Sequence, residues 1–299
     1  MKDMKREQLL QLLGDLPEKR KMSISTLTAE ERENDILETL LLDLNGIEKV
    51  PAYFVKPKNR TEKMPAVLFQ HSHGGCYERG KRELTEGAEY LIAPSFSGEF
   101  TSRGYAVLAL DHWGFGDRRG KTESGIFKEM LLTGRVMWGM MIYDSMRAID
   151  YLQTRSDILP DRIGTIGMSM GGLMAWWTAA LDDRIKVCVD ICSQVDHETL
   201  IETQDLDRHG IYYYVPSLAK HFSASDIQSM ITPRPHLSLV GEHDRLTPVK
   251  GMNKIETALT ALYQEQGASD RYRMVRSASG HFETALMRHE ALRFLEKWL

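Results

Sequence analysis

The chain has 299 residues, of which 42% are hydrophobic and 27% charged, and a net charge of −4. That length holds one large α/β domain or two small ones. The acidic balance argues against a nucleic-acid partner, which needs a basic face, and no apolar run reaches the length of a membrane span. The first ten residues include basic side chains but lack the apolar stretch and cleavage site of an export signal. The three cysteines, Cys76, Cys188 and Cys192, cannot all pair. These features predict a cytoplasmic protein with reduced thiols.

In chain order, residues 5–13 predict a short amphipathic helix, part of an N-terminal helical arm over 1–20 that packs on the body or makes a homo-oligomer contact. Residues 36–55 alternate like a hairpin, with Asn45 and Gly46 at its turn. The apolar run 64–70 reads as a buried strand and ends in His71, Ser72, His73, Gly74, Gly75 and Cys76. Residues 104–110 form a second buried strand, followed by Asp111, Trp113 and Arg118. Residues 136–152 predict a long amphipathic helix. A strand over 163–166 then leads into Gly167, Ser169 and Gly171, and an apolar helix follows from Leu173. Residues 185–191 form another strand. The stretch 196–231 is irregular, rich in His and Tyr, and reads as a cap insertion. A strand over 235–240 precedes Glu242 and Asp244, and 249–264 predict a helix. The last strand, 271–275, leads to His281 and a terminal helix. Strands alternate with helices, so the sheet is expected to be mostly parallel with helices on both faces. In such sheets the ligand site lies beyond the carboxyl ends of the strands, where all of these Gly-, His- and Asp-rich loops fall.

The segment 162–173 organises the rest. Gly167, Ser169 and Gly171 spell G-x-S-x-G between a strand and a helix, which is the form of a nucleophile elbow. A serine at such a tip sits in a strained conformation. The residues two before and two after it come into contact and must be very small. The following helix aims its N–H groups where negative charge develops in acyl transfer.

A serine hydroxyl also needs a base, and the base needs an orienting acid. On this architecture both follow the serine, each after a later strand. Asp244 and His281 are in the right order and in the right loops. Glu242 competes with Asp244, but Asp244 lies deeper in its loop. The oxyanion donors are expected to be the backbone N–H of Met170 and one N–H from 71–76, taken as that of His73, with Gly74 and Gly75 as alternatives. His71 and His73 form an H-x-H pair that metals use, but no further ligand continues the pattern. Cys76 has no elbow around it. Gly74, Trp113, Trp138 and Tyr213 are candidates for a substrate pocket, though the aromatics serve equally well to pack a cap onto the core. Asp111 and Arg118 are expected to tie loops together.

These residues resemble an α/β-hydrolase of the dienelactone hydrolase and acetyl xylan esterase-like branch. The resemblance rests on Gly167 to Gly171, His71 to Gly75, Asp111 to Gly116, Gly241 to Asp244 and Gly280 with His281, and it covers most of the chain. It implies an α/β-hydrolase fold in a single domain, 1–299, and a carboxylic-ester hydrolase with no metal or organic cofactor. The implied partner is a small-molecule ester. Ser169 stands where dienelactone hydrolases carry cysteine, which puts the esterase side closer, and His71-Ser72 replaces the family's His-Gly. A peptidase of the oligopeptidase type and a non-catalytic binding protein on the same fold are the competing readings. An imidazole base predicts activity that rises with pH.

Overall fold

The structure is a computed structural model that describes residues 2–299. The chain opens with helix α1 (Lys2–Leu12) and three strands, β1 (Ile24–Glu31), β2 (Asp35–Leu42) and β3 (Val50–Pro57). Strand β4 (Met64–Gln70) follows, then the short helices α2 (Glu83–Glu86) and α3 (Phe96–Ser102), then β5 (Ala106–Leu110), α4 (Glu123–Leu132) and α5 (Met137–Thr154). The central unit is β6 (Ile158–Met168), α6 (Met170–Leu181) and β7 (Ile185–Ile191). After α7 (His197–Thr203) and α8 (Ala224–Gln228) the chain ends with β8 (His236–Gly241), α9 (Val249–Glu265), β9 (Tyr272–Ser277) and α10 (Ala285–Trp298).

The strands form one sheet in the order β1-β2-β3-β5-β4-β6-β7-β8-β9. From β5 to β9 all neighbours are parallel, whereas β1, β2 and β3 join in antiparallel fashion. This is the mostly parallel, helix-covered sheet that the alternation of strands and helices predicts. Strand β1 was not expected. Its sequence carries glutamates and its whole length is exposed, so no apolar alternation marks it. The connection between β2 and β3 does centre on Asn45 and Gly46. The Asn45 carboxamide oxygen accepts from the N–H groups of Ile47 and Glu48 at 2.9 and 3.0 Å.

The central strands are buried on both faces, which explains why they read as unbroken apolar runs. In β4, Ala66 and Leu68 join the cluster of Trp138, Met141 and Met174 from α5 and α6. Val67 and Phe69 join Phe96, Phe100 and Leu295 from α3 and α10 on the other face. Every residue of α6 is buried, because the sheet lies on one side and α1, α5 and α8 on others. Helix α1 packs on its own chain: Leu9 is fully buried and Arg6 donates to the carbonyls of Ala180 and Met230. The three cysteines are free. Among the described residues, no helix is long and apolar enough to cross a membrane.

Candidate active site

Ser169 closes β6 and opens α6. Its φ of 54° and ψ of −120° place it in a region that non-glycine residues rarely occupy. The elbow is as crowded as the G-x-S-x-G spacing demands. A Cβ on Gly167 would lie 2.4 Å from the carbonyl of Gly171, and one on Gly171 would lie 2.0 Å from the carbonyl oxygen of Gln70. The Ser169 N–H donates to Ile191 at 2.8 Å, which ties the turn to β7.

The structure brings the three expected side chains together. The Ser169 hydroxyl lies 2.8 Å from His281 Nε2, and His281 Nδ1 lies 2.7 Å from Asp244 Oδ2. The other Asp244 oxygen accepts from the Leu246 N–H at 2.8 Å. The carboxylate is fully buried, while the His281 ring is 26% exposed and open to a substrate. Gly241 permits this meeting of two loops, since a Cβ there would lie 2.4 Å from the carbonyl of Gly280. Glu242, the competing acid, is exposed and its N–H is committed to the Ser277 carbonyl. The order of bonds fixes the tautomer: Nδ1 donates to Asp244, which leaves Nε2 bare to take the serine proton.

Cys192 also approaches this pair, its sulfur lying within 4.8 Å of the ligand atoms of Asp244 and His281. The carboxylate and imidazole are already spent on each other. Burial, with the Asp244 charge second, pushes the Cys192 thiol well above its ordinary range, so it stays protonated.

The loop 71–76 follows β4, beside the elbow. Among the described residues, no protein acceptor takes the N–H of His73 or of Met170, which leaves both open to an oxyanion. Ser72 donates its N–H to Glu83 Oε1 at 3.0 Å. Glu83 also accepts from the Tyr90 hydroxyl, and burial pushes its carboxyl up to about 7. Gly74 and Gly75 have φ of 51° and 83° at the exposed tip. The two histidines of the H-x-H pair are occupied by the protein. His71 Nδ1 donates to the Ser72 carbonyl at 2.7 Å and its Nε2 accepts from the His112 N–H. His73 reaches Gly75 and Tyr212. Burial pushes His71 down to about 4 and holds His73 and His209 below the ordinary histidine value.

Three candidate pocket residues are packed against other side chains. Trp113 is stacked under the Arg118 guanidinium at 4.3 Å and lines a cavity of about 320 Å³ whose walls include neither Ser169 nor His281. Trp138 and Tyr213 are fully buried. Their rings meet edge to face at 5.0 Å, and Trp138 also meets Trp177. These aromatics join 196–231 to α5 and α6 within the core. The residue of the tyrosine run that does approach the site is Tyr212, whose hydroxyl lies 2.9 Å from His73 Nε2. Three adjacent tyrosines give no periodic signal to distinguish one from the next. Asp111 and Arg118 act as loop ties. Asp111 holds Lys81, and Arg118 bridges Asp144 and Glu48.

The chain is 75% identical over 299 residues to "Putative hydrolase YtaP" of Bacillus subtilis (strain 168), with the whole of both chains aligned. The fold is shared with a glucuronoyl esterase from Solibacter usitatus, with a TM-score of 0.72, 16% identity, and coverage of 97% of this chain and 91% of that one. It is shared too with an acetyl xylan esterase from Paenibacillus sp. R4, with a TM-score of 0.64, 16% identity, and coverage of 100% and 92%. Residues 46–277, which include the elbow serine and Asp244, match the X-Pro dipeptidyl-peptidase family. On the strength of that match the chain belongs to the X-Pro dipeptidyl-peptidase (S15) family.

Proposed function

We propose that the protein is a serine hydrolase that cleaves small carboxylic acyl esters through an acyl-enzyme. The observation that carries this reading is the unbroken relay from Ser169 through His281 to Asp244, at 2.8 and 2.7 Å. His281 Nε2 takes the hydroxyl proton as Ser169 Oγ attacks the ester carbonyl. The tetrahedral oxyanion rests on the N–H groups of Met170 and His73. Collapse expels the alcohol, which takes its proton from His281. Water then repeats the sequence: it gives a proton to His281, attacks the acyl carbon and releases the acid, and the proton returns to Ser169. Asp244 orients the imidazole and stabilises its charged form. No step calls for a metal or an organic cofactor.

The family match supports a second reading, release of an X-Pro dipeptide from a peptide amino terminus. That chemistry needs a carboxylate to receive the substrate's ammonium group. The two acids tied to the oxyanion loop and its neighbours are already engaged, Glu83 by Ser72 and Tyr90 and Glu123 by Tyr77 and Tyr212. The ester reading is therefore preferred. The test compares p-nitrophenyl esters from acetate to octanoate with Ala-Pro-p-nitroanilide. Ester turnover with kcat/KM highest at short acyl length is expected. Faster cleavage of the anilide would replace this reading with the peptidase one. The parallel proposals are that 196–231 acts as a cap over the site and that the protein works in the cytoplasm.

A further inference from the structure

Building on the esterase reading, we propose that Tyr212 is a positioning residue that locks the oxyanion loop through the His73 imidazole, so that 196–231 is a working part of the oxyanion hole. The Gly75 N–H donates to His73 Nδ1 at 2.9 Å, so that nitrogen is bare. With Nδ1 accepting, the ring proton sits on Nε2 and points to the Tyr212 oxygen at 2.9 Å, and burial, which lowers the ring's pKa, acts in the same sense. The imidazole thus closes the loop tip on one side and reaches 139 residues along the chain on the other.

Tyr212 is itself firmly held. Its ring lies parallel to Trp138 at 6.1 Å and edge-on to Phe115 at 5.8 Å. Its N–H donates to Glu123 Oε1 at 3.2 Å, and the other oxygen of Glu123 accepts from the Tyr77 hydroxyl. Tyr77 stacks on Phe115 at 4.9 Å and lies 5.0 Å from the His73 ring. Three rings, those of Tyr77, Phe115 and Tyr212, therefore close around His73, with Glu123 fastening the two tyrosines to the start of α4.

The loop needs this fastening. Its tip is two exposed glycines in left-handed conformations, which side chains do nothing to stiffen. An oxyanion donor is effective only when held in place before the reaction, and misplacement by about 1 Å costs about a hundredfold in rate. The Tyr212 hydroxyl supplies the tie from outside the loop at the donor residue itself.

The test is Tyr212→Phe, which keeps the ring contacts and removes the acceptor. On p-nitrophenyl acetate, kcat should fall roughly tenfold to a hundredfold with KM within about twofold, and the pH profile should keep its position because His281 is untouched. His73→Asn should show a similar loss, and the double variant should be no worse than either single one, because both break one tie. Independently of any substrate, hydrogen exchange of the 71–76 amides should accelerate in Tyr212→Phe. Unchanged kcat, or losses that multiply in the double variant, would overturn the proposal. Unchanged exchange would overturn it even if the wild type proved inactive on esters, an outcome that would count separately against the esterase reading.

Discussion

Replacing Gly171 by alanine puts one methyl group into the tightest contact of the elbow. The new carbon would lie 2.0 Å from the Gln70 carbonyl oxygen, 2.7 Å from its carbon and 3.0 Å from the carbonyl carbon of His71. All three are backbone atoms, so no side chain can swing away. Restoring even a 3.0 Å contact moves α6 and the strand end of β4 apart by about 1 Å. The Met170 N–H rides on α6 and the His73 N–H on the loop leaving β4, so the two oxyanion donors separate by a comparable amount. Misplacement on this scale is expected to lower kcat/KM about a hundredfold, with overpacking costing roughly 1–3 kcal/mol of stability. The assay is hydrolysis of p-nitrophenyl acetate beside a thermal melt by circular dichroism. Gly98→Ala is the control, because the nearest atom to its Cβ is 4.0 Å away and it lies inside α3. A Gly171→Ala protein that melts normally and retains activity within threefold of the wild type would show that this contact does not set the spacing of the two oxyanion donors.

Asp244→Asn should keep the fold but lower kcat by roughly 10⁴-fold, since the amide favours the wrong imidazole tautomer, whereas Glu242→Gln should stay within about threefold of wild type; reversed outcomes would make Glu242 the orienting acid. Trp138→Ala should cost about 3–5 kcal/mol in urea unfolding without altering the order of preference among acyl lengths, and a changed preference would return Trp138 to the pocket. Glu83 gives a pH signature. Burial raises its folded value to about 7 from the ordinary 4.5, so between these limits the folded state holds a proton that the unfolded chain has lost. Its contribution to stability is present below pH 4.5 and falls as pH rises toward 7, by an amount of roughly 3 kcal/mol. Glu83→Gln should flatten the fall of the urea midpoint between pH 5 and pH 7.5; equal slopes in both proteins would contradict it.

What the sequence reveals follows from how local each signal is. The elbow is legible because steric crowding leaves Gly167 and Gly171 no alternatives, and the end of the flanking strand and the helix are buried and mostly apolar. The order of Ser169, Asp244 and His281 is legible because each sits at a strand end in a parallel sheet. Strand β1 is not, since an exposed edge strand needs only backbone pairing with β2 and shows no alternation. The aromatics are ambiguous for a related reason. Trp138 and Tyr213 are as apolar as pocket residues would be, and only packing against Trp177 and α5 distinguishes core from lining. Tyr212 and Glu123 are invisible at this level because their roles depend on contacts across 89 and 139 residues.

The proposed mechanism requires Ser169 to be an activated nucleophile. Its most direct test is intact-mass analysis after reaction with a fluorophosphonate, for the wild type and Ser169→Ala. A single adduct on the wild type, mapped to the peptide containing Ser169 and absent from the variant, is the predicted result. A folded wild type that takes up no reagent, or a Ser169→Ala protein that labels as fast as the wild type, would contradict it.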